Sequence, residues 1–263
     1  MFHALLWAAA GTGFTFAVTT LGAATVFLFR RTPSLSLHRI MLGFAAGVMI
    51  AASVWSLLIP AIDQAEALGF PSWVPAACGS VLGIAFLLAM DTLLPHLSPD
   101  TVHLARGDDA RRRTALLVLA VTLHNIPEGM AVGVSFALAA QGEDPVLFTA
   151  ATALALGIGI QNFPEGAAIA LPLHHEGLSR SRAFALGALS GLVEPVFGLL
   201  TVLAAGSVRQ LLPWLLSFAA GSMLYVVVEE LIPEANRAEG GHGGTLGVMG
   251  GFLLMMILDV ALG

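Results

Sequence analysis

Two hexads carry the chemistry of this chain. His124-Asn125-Ile126-Pro127-Glu128-Gly129 and Gln161-Asn162-Phe163-Pro164-Glu165-Gly166 share the pattern (His/Gln)-Asn-x-Pro-Glu-Gly and lie 37 residues apart. On a helix, His124 and Glu128 fall on one face, as do Gln161 and Glu165, because residues four apart stack above one another. Proline lacks an N–H, so Pro127 and Pro164 leave the carbonyls of Leu123 and Ile160 without their helical donors. The glycine after each glutamate lets a backbone or an ion approach closely. Each hexad therefore gathers imidazole or amide, carboxylate, amide oxygen and spare carbonyl on one face. Imidazole favours zinc and the later transition metals, and carboxylate and amide oxygens accept many divalent cations. Two glutamates match the charge of one divalent ion.

Other residues extend this set. Glu194, in Ser190-Gly-Leu-Val-Glu194-Pro195, is again followed by proline. It reads as a third carboxylate that bridges two metals or carries a proton. Asp91 with Pro95-His96, the pair Glu229-Glu230 before Pro233, and His174-His175-Glu176 form a second group. They are either weaker sites on an exit path or helix-end groups solvated at an interface. Met49, Ser53 and Ser56 share a helix face at spacings of four and three. That face serves either close helix packing or a soft-metal path.

The elements that position these groups are long apolar runs. Of 263 residues, 57% are hydrophobic and 11% charged, against roughly 25% charged in soluble domains. The mean hydropathy is +0.88. All eleven cations are Arg and the net charge is −6, so the basic footprint of a nucleic-acid binder is missing. A single Cys excludes a disulfide framework and a Cys-based zinc module. A membrane helix needs about 20 mostly apolar residues. Eight such runs are expected: α1 near 4–29, α2 near 40–62, α3 near 74–95, α4 near 114–139, α5 near 147–172, α6 near 183–205, α7 near 213–235 and α8 near 245–262. The predicted fold is an all-α membrane protein, one polytopic transmembrane domain over 1–263. The first run lacks a cationic n-region and is too long for a signal-peptide core. Each hexad falls near the middle of its helix, and Glu194 in the middle of α6. A carboxylate at that depth is costly enough to mark a functional site.

Ten of the eleven Arg lie in the loops after α1, α3, α5 and α7; only Arg209 lies in an alternate loop. The positive-inside rule then puts both termini outside the cytoplasm. The chain also repeats itself. Phe44-Ala-Ala-Gly47-Val-Met49 in α2 matches Phe218-Ala-Ala-Gly221-Ser-Met223 in α7, and each run continues to Leu-Ile-Pro. A weaker echo pairs Phe86-Leu-Leu in α3 with Phe252-Leu-Leu in α8. Helices five apart cross the membrane in opposite directions, so α1–α3 and α6–α8 are an inverted repeat flanking α4 and α5. Such repeats mark transporters that hold substrate near the midplane.

These residues resemble the ZIP (Zrt/Irt-like) divalent metal transporter family, above all its GufA-like bacterial branch. The likeness rests on the HNxPEG and QNxPEG hexads, Glu194-Pro and the closing Leu258-Asp-Val-Ala-Leu stretch, and it spans essentially the whole chain. It implies uptake of divalent transition metals toward the cytoplasm, typically zinc, with cadmium, iron or manganese in some members. It implies a bacterial inner membrane and a homodimer. It assigns metal ligation to His124, Asn125, Glu128, Gln161, Asn162, Glu165 and Glu194. Met49 and Ser56 match the family's path on α2, and Asp91, His96, Glu229 and Glu230 match its cytoplasmic exit. Many members have His where Gln161 stands, and two-metal members of the branch have Asp where Asn162 stands. The loop after α3 holds only His96 and His103, not the His-rich run of many eukaryotic members. Two other classes compete. An intramembrane metalloenzyme would hold a resident zinc on His124, Glu128 and Glu165. An organic-solute transporter would aim half-helix N-termini at an anion, which a carboxylate-rich site does not suit.

Overall fold

In lipid, a backbone that keeps its own hydrogen bonds is the stable one, and apolar runs of this length satisfy that as helices. The structure is a computed structural model that describes residues 2–28, 35–97, 109–142, 145–175, 177–207, 209–236 and 241–262. All eight expected helices are present. α1 is Phe2–Leu28, α3 Trp73–Leu97, α4 Asp109–Gly142, α5 Pro145–His175 and α8 Gly243–Leu262. α2 runs as Leu35–Ala52, a π turn Ser53–Leu58 and Ile59–Ala67. α7 runs as Leu212–Val226, a π turn Val227–Leu231 and Ile232–Ala235. Among the described residues, seven helices are long and apolar enough to cross a membrane. The eighth helix, α4, includes side chains outside the described residues.

α6 departs from the expectation of one unbroken helix. It consists of Arg180–Gly191 and Val193–Ser207, joined at Leu192, whose N–H turns back to the Leu189 carbonyl at 3.1 Å. Pro195 explains the break, because it cannot donate to the carbonyl of Gly191 four residues earlier. Glu194 therefore sits in the first turn of a new helix rather than mid-helix.

Contacts between helices reveal the inverted repeat. α2 packs along α8 and α7 along α3; α1 packs along α5 and α6 along α4. Exchanging 1 with 6, 2 with 7, 3 with 8 and 4 with 5 leaves this pairing unchanged. The two π turns also correspond, since Ser53 and Val227 hold equivalent places in the FAAG repeat. Close-approach glycines fix the register. A Cβ on Gly47 would lie 2.0 Å from the Val248 carbonyl oxygen, and one on Gly221 would lie 2.3 Å from that of Ser80. Likewise Gly251 abuts the Phe44 carbonyl and Gly83 the Phe218 carbonyl. Gly83 and Gly251 are thus counterparts, and so are Asp91 and Asp259. The Phe86/Phe252 echo is out of this register by two residues: it reflects recurrent apolar composition, not structural equivalence.

Candidate metal site

Both hexads stay helical through their prolines, Pro127 in α4 and Pro164 in α5. The glycines after the glutamates bring in the outer helices. A Cβ on Gly129 would lie 2.3 Å from the Glu194 carbonyl oxygen, and one on Gly166 would lie 2.0 Å from that of Thr19. This seats α4 against α6 and α5 against α1, with the hexads facing each other between them.

Side chains then lock together. The Gln161 Nε2 donates to Glu128 Oε1 at 2.6 Å, which joins α5 to α4. The Asn125 Nδ2 donates to the Ser190 carbonyl at 3.0 Å, which joins α4 to α6. The Asn162 Nδ2 lies 3.0 Å from both oxygens of Glu194, and the Thr19 hydroxyl donates to Glu194 Oε1 at 3.2 Å. A carboxylate only accepts, so Gln161 and Asn162 must present their NH₂ groups to the glutamates and turn their oxygens elsewhere.

What remains is a set of oxygens without donors. Glu128 Oε2, Glu165 Oε1, Gln161 Oε1, Asn125 Oδ1 and Asn162 Oδ1 are all buried and unpartnered. Buried acceptors normally have a partner, so five orphans on two hexads mark a place made for a cation. Glu128, Gln161 and Glu165 line a cavity of about 290 Å³ together with Met49, Pro164, Pro172, Glu230 and Glu234. The cavity runs from mid-bundle toward the N-terminal end of α2 (Met41, Leu42) and the C-terminal end of α7. Among the described residues, no three His, Cys, Asp or Glu side chains stand as one metal cluster. The donor set here is two carboxylates supplemented by amide oxygens.

The structure separates other residues that the sequence grouped. Met49 lines the cavity, whereas the Ser56 hydroxyl donates to Asp259 Oδ1 at 2.5 Å. Ser53 donates to the Met49 carbonyl within its own helix. Glu230 lines the cavity; Glu229 is exposed and does not. His174 Nδ1 bonds the Leu178 carbonyl at 2.8 Å, fastening the turn after α5. The side chains of Asp91, His96, His124 and His175, and all of Glu176 and His103, lie outside the described residues. Three groups escaped the sequence reading: Thr19 on Glu194, Asp259 on Ser56, and Glu234 on the cavity wall. Asp259 carried a usable signal, being an acid within an apolar run.

Residues 106–259 match the profile of the family described as ZIP Zinc transporter. The chain is 38% identical to a human protein named zinc transporter ZIP11, over all of this chain and 98% of that one. It is 43% identical to the Myxococcus xanthus zinc transporter GufA, over 80% of this chain and 81% of that one. It is 41% identical to the Bordetella bronchiseptica zinc transporter ZIPB, over 99% of this chain and 82% of that one.

Proposed function

This chain belongs to the ZIP zinc transporter family, and from that premise we propose that it carries divalent metal ions, zinc first among them, across a membrane toward the cytoplasm. The observation that supports this reading is the group of five unpartnered oxygens on the paired hexads, three of them from residues that line the cavity. A transporter family leaves no role for the metalloenzyme alternative.

The ion sits between Glu128 and Glu165, whose two charges balance it. Gln161 Oε1 and the imidazole of His124 complete the first set of donors, with Asn125, Asn162 and Glu194 close behind. Cadmium, iron and manganese carry the same charge and accept the same oxygens. The whole chain acts as one polytopic unit in a bacterial inner membrane, as a homodimer.

Arg placement puts both termini outside, so the cavity with Glu230 and Glu234 faces the cytoplasm. Toward the opposite end rings pack together: Trp7 and Phe148 have centroids 4.7 Å apart, and Phe136 and Phe148 5.8 Å. A cavity that reaches one side fits alternating exposure by movement of one repeat against the other. Protons compete with the metal for the same oxygens, so apparent affinity should fall as pH falls.

Transport is tested by metal flux into proteoliposomes, comparing zinc, cadmium, manganese and iron across a pH gradient. Zinc accumulation above empty liposomes is the expected result, and none with any of the four would sink the assignment. A second expected outcome concerns stability. Zinc at a hundred times its dissociation constant should stabilise the folded protein by about 2.7 kcal/mol through mass action. Thermal unfolding in detergent reads this as an upward shift of Tm, absent in Glu128→Ala.

A further inference from the structure

Glu194 differs from the other two buried glutamates. Glu128 and Glu165 each keep an oxygen without a partner. Glu194 keeps none: one Asn162 amide spans both its oxygens at 3.0 Å, and Thr19 adds a third bond at 3.2 Å. Its position in the first turn of Val193–Ser207 also places it at the positive end of a helix dipole. Both its oxygens thus have hydrogen-bond donors without a metal.

Space points the same way. The Glu194 backbone is pressed onto Gly129, and a Cβ on Gly191 would lie 3.2 Å from Glu194 Oε1. Glu128, Gln161 and Glu165 line the cavity, while neither Asn162 nor Glu194 does. Charge closes the case. One divalent ion is balanced by Glu128 and Glu165. A second would have to share Glu194 alone, beside a neutral amide that already occupies both its oxygens.

Resting on the metal-transport reading of this site, we propose that the Asn162 amide stands in for a second cation, so that the site takes one divalent ion at a time and Glu194 is a positioning residue acting through Asn162. Glu194 fixes the Asn162 side chain, and with it the hexad of α5, and does not ligate the transported ion. Asn162 is then the residue that sets the stoichiometry. Replacing it with Asp would put two carboxylates about 3 Å apart, an arrangement that takes up a proton or a cation between them, and zinc in excess competes for that place.

The test is zinc stoichiometry on the full chain in nanodiscs, stripped with chelator, dialysed against zinc and counted by elemental analysis beside isothermal titration. The expected result is one zinc per chain for wild type and two for Asn162→Asp. Glu194→Gln should stay at one, because its amide oxygen can still accept from Asn162. Glu194→Ala should bind more weakly than Glu194→Gln, a rescue that separates positioning from bulk. Two zinc ions in wild type with one lost in Glu194→Gln would overturn the proposal, as would Asn162→Asp remaining at one. If Asn162→Asp does not fold, the wild-type count and the Glu194 pair decide alone. An undiminished single zinc in Glu128→Ala/Glu165→Ala would instead overturn the metal-site reading on which the proposal rests.

Discussion

Zinc flux in proteoliposomes should fall to background in Glu165→Ala and in Glu128→Ala, with the protein still eluting as a folded, monodisperse species. In the proposed site each of these buried glutamates supplies one of two charges that balance the ion. Removing one partner of a buried charge pair costs about 3–5 kcal/mol, which is more than about a hundredfold in affinity. Glu128→Ala also strips the Gln161 amide of its 2.6 Å acceptor, so it should lose stability as well as flux. Glu165 Oε1 has no protein donor and its carboxylate accepts from Asn125, whose amide keeps the Ser190 carbonyl as a second acceptor, so Glu165→Ala should lose less stability in the absence of metal than Glu128→Ala. That split between the two variants is the sharper check. Wild-type flux in the double variant would show that the ion crosses elsewhere.

The second large effect concerns neighbouring glycines on α8. Gly251→Ala should unfold or disperse the protein, and Gly250→Ala should not. A Cβ on Gly251 would lie 2.0 Å from the Phe44 carbonyl oxygen, backbone that cannot rotate away. A Cβ on Gly250 meets nothing within 4 Å. Overpacking of a close seam costs typically about 1–3 kcal/mol and occasionally more, while Gly to Ala at an open helical position gains up to about 1 kcal/mol. Thermal unfolding of the two variants should therefore move in opposite directions from wild type. Gly47→Ala, on the facing helix, should behave like Gly251→Ala, since its Cβ would fall 2.0 Å from the Val248 carbonyl oxygen. Equal stability of Gly250→Ala and Gly251→Ala would mean that the α2–α8 seam is looser than described.

These two effects differ in how far they could be read from the chain. The glutamates were legible because an acid inside an apolar run has few bland explanations, and because the hexad occurs twice. The seam was only partly legible. The FAAG repeat showed that α2 and α7 correspond, but not which helix either one meets. Glycine recurs throughout apolar sequence, and spacing alone does not tell Gly250 from Gly251.

The membrane class, eight helices, the inverted relation of α2 and α7, and Glu128 and Glu165 as paired carboxylates were determined by the sequence itself. Their signals are local: apolar run length, helical spacing and the missing N–H of proline all act within a few residues. Partner choice is not local, and only the tertiary structure decided it. Asn162 faces Glu194 across 32 residues, Thr19 meets the same carboxylate across 175, and Ser56 meets Asp259 across 203. A glutamate's type and depth say that its charge must be balanced. Whether a metal, an amide or a helix end balances it depends on which atoms the packed bundle brings within 3 Å, and that is why Glu194, so like the other two in sequence, is held so differently in the fold.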